Sequence, residues 1–412
     1  MRVRIYRGTR EIGGNCVELD AAGKRLVLDV GRPLWADAGQ EVPLPPVPGL
    51  AGRPDPSLRG VVISHPHPDH FGLASQVGDD VPLFIGEAAA AILREAAFFT
   101  PHGQDLRPAG HLVDREALHV GPFTITPYLM DHSAFDSYAL LVEAGGRELF
   151  YSGDLRAHGR KRGTFERLLN EPPAVDVMLL EGTSLSRADR DPMTEVDVEE
   201  RCLTLFRETE GMVLACFSAQ NVDRYVSMYR AAVRAGRDLV IDLYTASIAA
   251  ATGRDSIPQA SWDRVKVFVP FAQRVRVKQA EAFERVNAIR GSRIYPEELS
   301  GHPDRLVMTF RPTMAGELER AGCLDGASGL WSMWPGYLDA PDADGLKEFL
   351  ARHSIPLSVI HASGHAAVDD LQRLAAALGP DRIVPIHTAA PEAYADLFGH
   401  AEPHRDGEWW EV

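Results

Sequence analysis

His65-Pro66-His67-Pro68-Asp69-His70 is the stretch on which the reading of this chain turns. It follows the apolar run Val61-Val62-Ile63 and sets four potential metal ligands within six positions. The ring of a proline clashes with the residue before it and holds that residue extended, so His65 and His67 are both expected to be extended. Residues two apart on an extended chain point the same way, which sends both imidazoles toward one metal. Asp69 and His70 come at what reads as a turn into a helix, beginning Phe71-Gly72-Leu73-Ala74, and are placed to serve a neighbouring metal.

Working outward, the same arrangement recurs. Arg25-Leu26-Val27-Leu28 ends at Asp29, Glu148-Leu149-Phe150-Tyr151 precedes Ser152-Gly153-Asp154, Val177-Met178-Leu179-Leu180 precedes Glu181, and Ile383-Val384-Pro385-Ile386 ends at His387. Short apolar strands that deliver polar residues at their C-terminal ends build the sites of layered α/β proteins. His132, in Met130-Asp131-His132-Ser133, adds another imidazole. Taken singly, a strand-end histidine or aspartate is more often a structural hydrogen-bonding group than a ligand. Together with the cluster, His132, Asp154 and His387 complete a mixed His/Asp set suited to two zinc ions.

Between about 183 and 345 the texture changes. Strands at 213–217, 239–243 and 265–269 alternate with helical pattern, most clearly over 221–235, where Val222, Tyr225, Val226, Tyr229 and Val233 share a face and Gly236 is the stop. This is the pattern of a parallel sheet with crossover helices. Arg274, Arg276, Lys278, Arg285, Arg290 and Arg293 crowd its middle and read either as a solvated helix face or as a basic patch facing substrate. After about 345 the first texture returns. The prolines and glycines from Pro43 to Pro56 predict an extended surface loop.

The 412 residues carry a net charge of −15, which argues against a protein that coats nucleic acid by bulk charge. No apolar run is long enough for a membrane span. The N-terminus reads as lacking a signal peptide, and Cys16, Cys202, Cys216 and Cys323 form no Cys-x-x-Cys pair. Both features lead us to expect a cytoplasmic protein without disulfides.

The cluster, His132 and Ser-Gly-Asp154 resemble the metallo-β-lactamase superfamily, with Asp29 in Leu28-Asp29-Val30-Gly31 matching its first motif. Glu181, His361-Ala362-Ser363-Gly364-His365 and His387 resemble the further motifs of its β-CASP nuclease branch, in the form seen in the ribonuclease J family. Arg10-Glu11-Ile12-Gly13-Gly14-Asn15 and Phe217-Ser218-Ala219-Gln220-Asn221-Val222-Asp223-Arg224 resemble segments of that family too. The resemblance implies an α/β fold: a metallo-β-lactamase αββα sandwich, residues 1–182 and 346–412, with an inserted β-CASP α/β domain, residues 183–345.

It also implies roles. His65, His67 and His132 hold one zinc; Asp69, His70 and His387 hold the other; Asp154 bridges them, and Mn2+ is an acceptable substitute. Asp29 orients the cluster through hydrogen bonds, and Glu181 orients a histidine near the metals. His365 gives a proton or stabilises charge. With Asp69, these three make up the expected catalytic group. His361, Ser363, Ser218 and Arg224 are expected to contact substrate. His387, a histidine where DNA-processing members carry valine, favours RNA.

The expectation is a zinc-dependent ribonuclease, exo or endo, acting on single-stranded RNA in the cleft between the two domains. The alternatives are a hydrolase of a small ester, lactone or thioester, or a silent RNA-binding relative. Three features depart from the family pattern. The sequence ends soon after Gly407-Glu408-Trp409-Trp410-Glu411, without the family's extra C-terminal domain, which leaves homo-oligomer formation open. Glu181 stands where ribonuclease J tends to carry aspartate. Leu330 to Tyr337 is unmatched and reads either as packing or as a reshaped substrate groove.

Overall fold

In the computed structural model, which describes residues 1–37, 39–101, 103–186 and 192–412, the chain divides into two units. The first comprises Met1–Ala97, Pro101–Pro192 and Gly364–Val412, and the second Met193–Ser363 with Phe98–Thr100.

Two sheets make the first unit. One has seven strands in the order Trp409–Glu411, Arg2–Arg7, Cys16–Ala21, Lys24–Leu28, Leu58–Val62, Leu83–Gly86, Gly110–Leu112. The other has six, in the order Arg382–Ile386, Val177–Glu181, Arg147–Tyr151, Ser137–Ala144, Phe123–Met130, Leu118–Val120. Alternation along the strands explains the layers. Val177 and Leu179 face Val17, Leu26 and Leu28 of the other sheet, while Met178 and Leu180 face outward onto Phe165, Leu168, Leu371 and Leu374 of two helices. The outer face of the first sheet, with Val27, Val61 and Ile85, is covered by Phe71, Ala89 and Leu93. The result is an αββα sandwich. A strand buried on both faces reads as a continuous apolar run rather than an alternating one, and each such side chain is worth about 1.5–3 kcal/mol of burial.

Parallel pairing occurs in both sheets. Lys24–Leu28 runs parallel to Leu58–Val62, and Arg147–Tyr151, Val177–Glu181 and Arg382–Ile386 run parallel to one another. The C-terminal ends of these strands carry the residues singled out above.

The second unit is a six-stranded parallel sheet with both faces covered. Its order is Val265–Phe268, Asp238–Asp242, Leu306–Thr309, Val213–Cys216, Ser328–Trp331, Leu357–Val359. The helix read over 221–235 spans Val222–Arg234. The Asn221 side chain caps it by accepting from the Arg224 N–H, and Gly236 follows at φ +76°. Residues 346–363, read from sequence with the first domain, sit in the second unit. Leu346, Phe349 and Leu350 pack in its core, and Leu357–Val359 extends its sheet beside Ser328–Trp331. Leu330 and Trp331 are buried packing residues, whereas Trp334 and Tyr337 stand exposed with ring centroids 5.3 Å apart. In the arginine-rich stretch, Arg274 pairs with Glu317 at 2.8 Å, and the Arg276 and Arg285 guanidinia lie over the Phe98 ring. All four cysteines are buried and free. Among the described residues no helix is long and apolar enough to cross a membrane.

Candidate metal centre

His67 is extended, at φ −97° and ψ 142°, and caps a helix that begins one residue later, at Pro68. The helix is a single turn, Pro68–Phe71, so Asp69 and His70 lie inside it rather than ahead of it. Proline at the first position fits because its missing N–H would have had no partner there. The turn is tied down along its length. The N–H groups of Asn15, Val30 and Arg32 donate to the carbonyls of Asp69, His70 and Pro68, at 3.1, 2.8 and 2.9 Å. Gly31 is required for that approach, since a Cβ there would stand 1.8 Å from the Asp69 carbonyl oxygen.

Two donor sets result. His65, His67, His132 and Asp154 bring ligand atoms within 4.8 Å of one another, and so do Asp69, His70, Asp154 and His387. Asp154 belongs to both. Its Oδ1 lies 3.3 Å from His70 Nε2, and its Oδ2 lies 3.6 Å from both His65 Nε2 and His387 Nε2. A third group, Asp154, Glu181 and His365, adjoins them.

Hydrogen bonds settle which nitrogen each ring presents. His70 Nδ1 donates to Asp29 Oδ2 at 2.7 Å, His132 Nδ1 to the Gly364 carbonyl at 2.6 Å and His387 Nδ1 to Asn15 Oδ1 at 3.2 Å. Ser64 Oγ donates to Asp29 at 2.8 Å and so accepts from His65 Nδ1 at 3.0 Å. Four rings thereby turn Nε2 inward. His67 presents Nδ1, which lies 3.0 Å from His132 Nε2. Such outer partners fix tautomer and orientation at metal-binding histidines.

Asp29 is the hub of this support. It is fully buried, sits at φ +57°, and also accepts from Tyr151 Oη at 2.6 Å and the Ser64 N–H at 2.7 Å. Ser64, Tyr151 and Asn15 were not given roles from sequence. A serine beside a histidine cluster and a tyrosine ending a strand are common in ordinary cores, and only the fold shows what they touch.

The residues fit a cation. Among the described residues, the buried Nε2 atoms of His65 and His70 and both Asp154 oxygens have no hydrogen-bond partner of proper geometry. Leaving such groups unpaired is costly unless something else compensates them. Burial drives His65 and His132 well below the usual histidine range, with neighbouring imidazoles adding to it, and takes His67 down to about 4. A neutral ring is the form that ligates.

His365 is partly buried, and its Nδ1 donates to Glu181 Oε2 at 3.1 Å. Burial alone would raise the Glu181 carboxyl. The His365 ring and the N–H groups of Leu155 and Thr183 outweigh it and hold Glu181 below the usual carboxylate range.

Four further residues belong to the second unit. Ser218 is exposed, and His361 and Ser363 are partly buried. Arg224 corrects the sequence expectation of a substrate contact. Its side chain is 0% exposed, pairs with Glu195 at 3.0 Å, and donates to the Ser332 carbonyl at 2.6 Å and hydroxyl at 2.7 Å. It braces the interior of its own unit and presents nothing to solvent.

Residues 32–215 match the family described as "Beta-lactamase superfamily domain". The sandwich and the paired donor sets agree with that match, so over these residues the chain is similar to the metallo-β-lactamase superfamily. The chain is also similar to ribonuclease J. It is 25% identical to that of Mycolicibacterium smegmatis over 248 residues, which are 58% of this chain and 43% of that protein. To that of Helicobacter pylori it is 22% identical over 251 residues, 58% of this chain and 36% of that protein. The match thus spans less than half the length of these relatives. The crystal structure of a protein of unknown function from Enterococcus faecalis V583, 20% identical, has a TM-score of 0.79 and matches all of this chain and 99% of its own. That likeness is one of fold.

Proposed function

We propose that this chain is a metal-dependent ribonuclease of the β-CASP branch, hydrolysing phosphodiester bonds of single-stranded RNA. The observation that carries the reading is Asp154: one buried carboxylate shared by two donor sets, with the Glu181–His365 pair against it. The likeness to ribonuclease J supplies the substrate class.

His65, His67, His132 and Asp154 would hold one cation, and Asp69, His70, His387 and Asp154 the other. Zinc is the preferred ion for this His/Asp chemistry and Mn2+ a substitute. Bound there, such a pair supplies a water acidic enough to attack at neutral pH and positive charge to offset that of the phosphoryl group in flight. The leaving oxygen needs a proton, and His365 is the group to give it. The Nδ1 hydrogen bond to Glu181 orients the ring, and Nε2 is the atom proposed to hand over that proton. Asp29, through His70, Ser64 and Tyr151, positions the ligands. His361, Ser363 and Ser218 are the proposed contacts to the RNA backbone. The reducing cytoplasm is the proposed compartment, in keeping with four free buried thiols.

Digestion of end-labelled single-stranded RNA by the wild type and by Asp69→Ala tests this. The wild type is expected to cut, and the variant to keep its circular dichroism spectrum while cutting about 10³-fold or more slowly. An Asp69→Ala protein that cuts at the wild-type rate overturns the reading. Turnover of lactones or thioesters with none of RNA would transfer the site to a small-molecule hydrolase. RNA labelled with a 5′-monophosphate or a 5′-triphosphate, compared in the same assay, separates exo from endo action.

A further inference from the structure

In the first unit the loop of residues 32–37 carries a bulky apolar pair, Leu34 and Trp35, that is 62% and 61% exposed. Exposed apolar surface of that kind, next to a site, marks something that comes to cover it. The loop is held in place. The Arg32 N–H donates to the Pro68 carbonyl at 2.9 Å, at the start of the turn that bears Asp69 and His70. The Arg32 guanidinium reaches across the loop to the carbonyls of Asp37 and Gln40, at 2.7 Å each, and the Asp37 N–H donates to the Gln40 side chain at 3.1 Å. The indole N–H of Trp35 donates to Glu11 Oε2 at 3.1 Å, so the ring is pinned by its edge while most of it stays in solvent.

The pair lies beside the metal centre. A Cβ added to Gly13 would stand 2.9 Å from Leu34 Cγ and 2.8 Å from Asp69 Cβ, so only the bare glycine separates Leu34 from a proposed ligand. Gly13 also sits at φ +83°, a conformation that favours glycine and keeps this approach open.

We propose that Trp35, flanked by Leu34, is a stacking platform for a nucleobase of the RNA strand whose phosphate lies at the Asp69 end of the centre. The inference rests on the ribonuclease reading. Charge selects the base over the backbone as occupant: the Glu11 carboxylate at the indole edge repels phosphate, whereas a base is neutral and has a π-face. Every base stacks on an aromatic ring, so the contact is tolerant of sequence. The loop is already tied in place, so little ordering entropy is lost on binding.

The test is steady-state kinetics of wild type, Trp35→Ala and Trp35→Phe on one single-stranded RNA. Copies of that RNA carrying one abasic residue at successive positions around the cut, and bis(p-nitrophenyl) phosphate, serve as further substrates. Trp35→Ala is expected to raise KM for the intact RNA by about 5- to 100-fold, and Trp35→Phe to recover most of the loss. On the copy whose abasic residue matches the platform, Trp35→Ala and wild type should agree, and all three proteins should hydrolyse bis(p-nitrophenyl) phosphate alike. An unchanged KM for intact RNA in Trp35→Ala overturns the platform alone. So does an equal loss on the abasic copies or on the small diester, which would mark Trp35 as structural. A wild type that does not cut intact RNA removes the ribonuclease reading and the platform with it.

Discussion

Four imidazoles of the centre spend Nδ1 on a neighbour and keep Nε2 for the interior, and the neighbours are as various as a carboxylate, an amide, a hydroxyl and a backbone carbonyl. Asn15 serves twice, accepting from His387 Nδ1 and donating to Tyr151 Oη at 3.1 Å. Asn15→Ala should therefore weaken metal binding about 10- to 100-fold, read by competition with a chromogenic chelator; an unchanged affinity would show that His387 needs no such support. Arg224 is the opposite lesson. Its place in a segment that resembles ribonuclease J suggested substrate, yet the guanidinium is spent on Glu195 and Ser332. Arg224→Ala leaves the buried Glu195 carboxylate without its partner and should cost about 3–5 kcal/mol in urea unfolding. A variant of wild-type stability but raised KM for RNA would restore the substrate role. The candidate donor residues were legible in the sequence because histidine and aspartate clusters are rare and chemically specific, and the fold brings them together. Asn15, Ser64 and Tyr151 were not, because their task exists only once distant strands meet.

The elements that position the centre share a design: an apolar strand, then a polar residue at its C-terminal end. That design is readable because parallel strands buried on both faces leave continuous hydrophobic runs, as Val177–Glu181 and Arg382–Ile386 do. Two elements that were read from sequence are placed differently by the fold: the helix starts at Pro68 rather than at Phe71, and the strand at 357–359 joins the second unit. The helix at Pro68–Phe71 is one turn long, too short for any periodicity to register. The strand Leu357–Val359 looks in sequence like its counterparts in the first unit, and only its parallel pairing with Ser328–Trp331 assigns it to the second. Such pairing is made between segments far apart in sequence and leaves no local mark. At this scale Gly31→Ala is the informative change. Its methyl would collide with the Asp69 carbonyl, so the turn bearing Asp69 and His70 must shift while the sheets stay intact. Loss of metal with an unchanged circular dichroism spectrum is the expected result, and full metal content would show that the turn can give way without harm.

For the molecule as a whole, the net charge of −15 means that RNA is not drawn in by bulk attraction. On the proposed ribonuclease reading, binding would rest on local groups: the cations of the centre and surfaces such as the Trp35 loop. The central claim is that seven side chains between His65 and His387 hold two divalent cations through a shared Asp154. Elemental analysis of purified wild type and His387→Ala tests it most directly. The account predicts two divalent cations per chain in the wild type, falling toward one in His387→Ala with the fold retained. Wild-type protein that is active yet carries no divalent metal would contradict it.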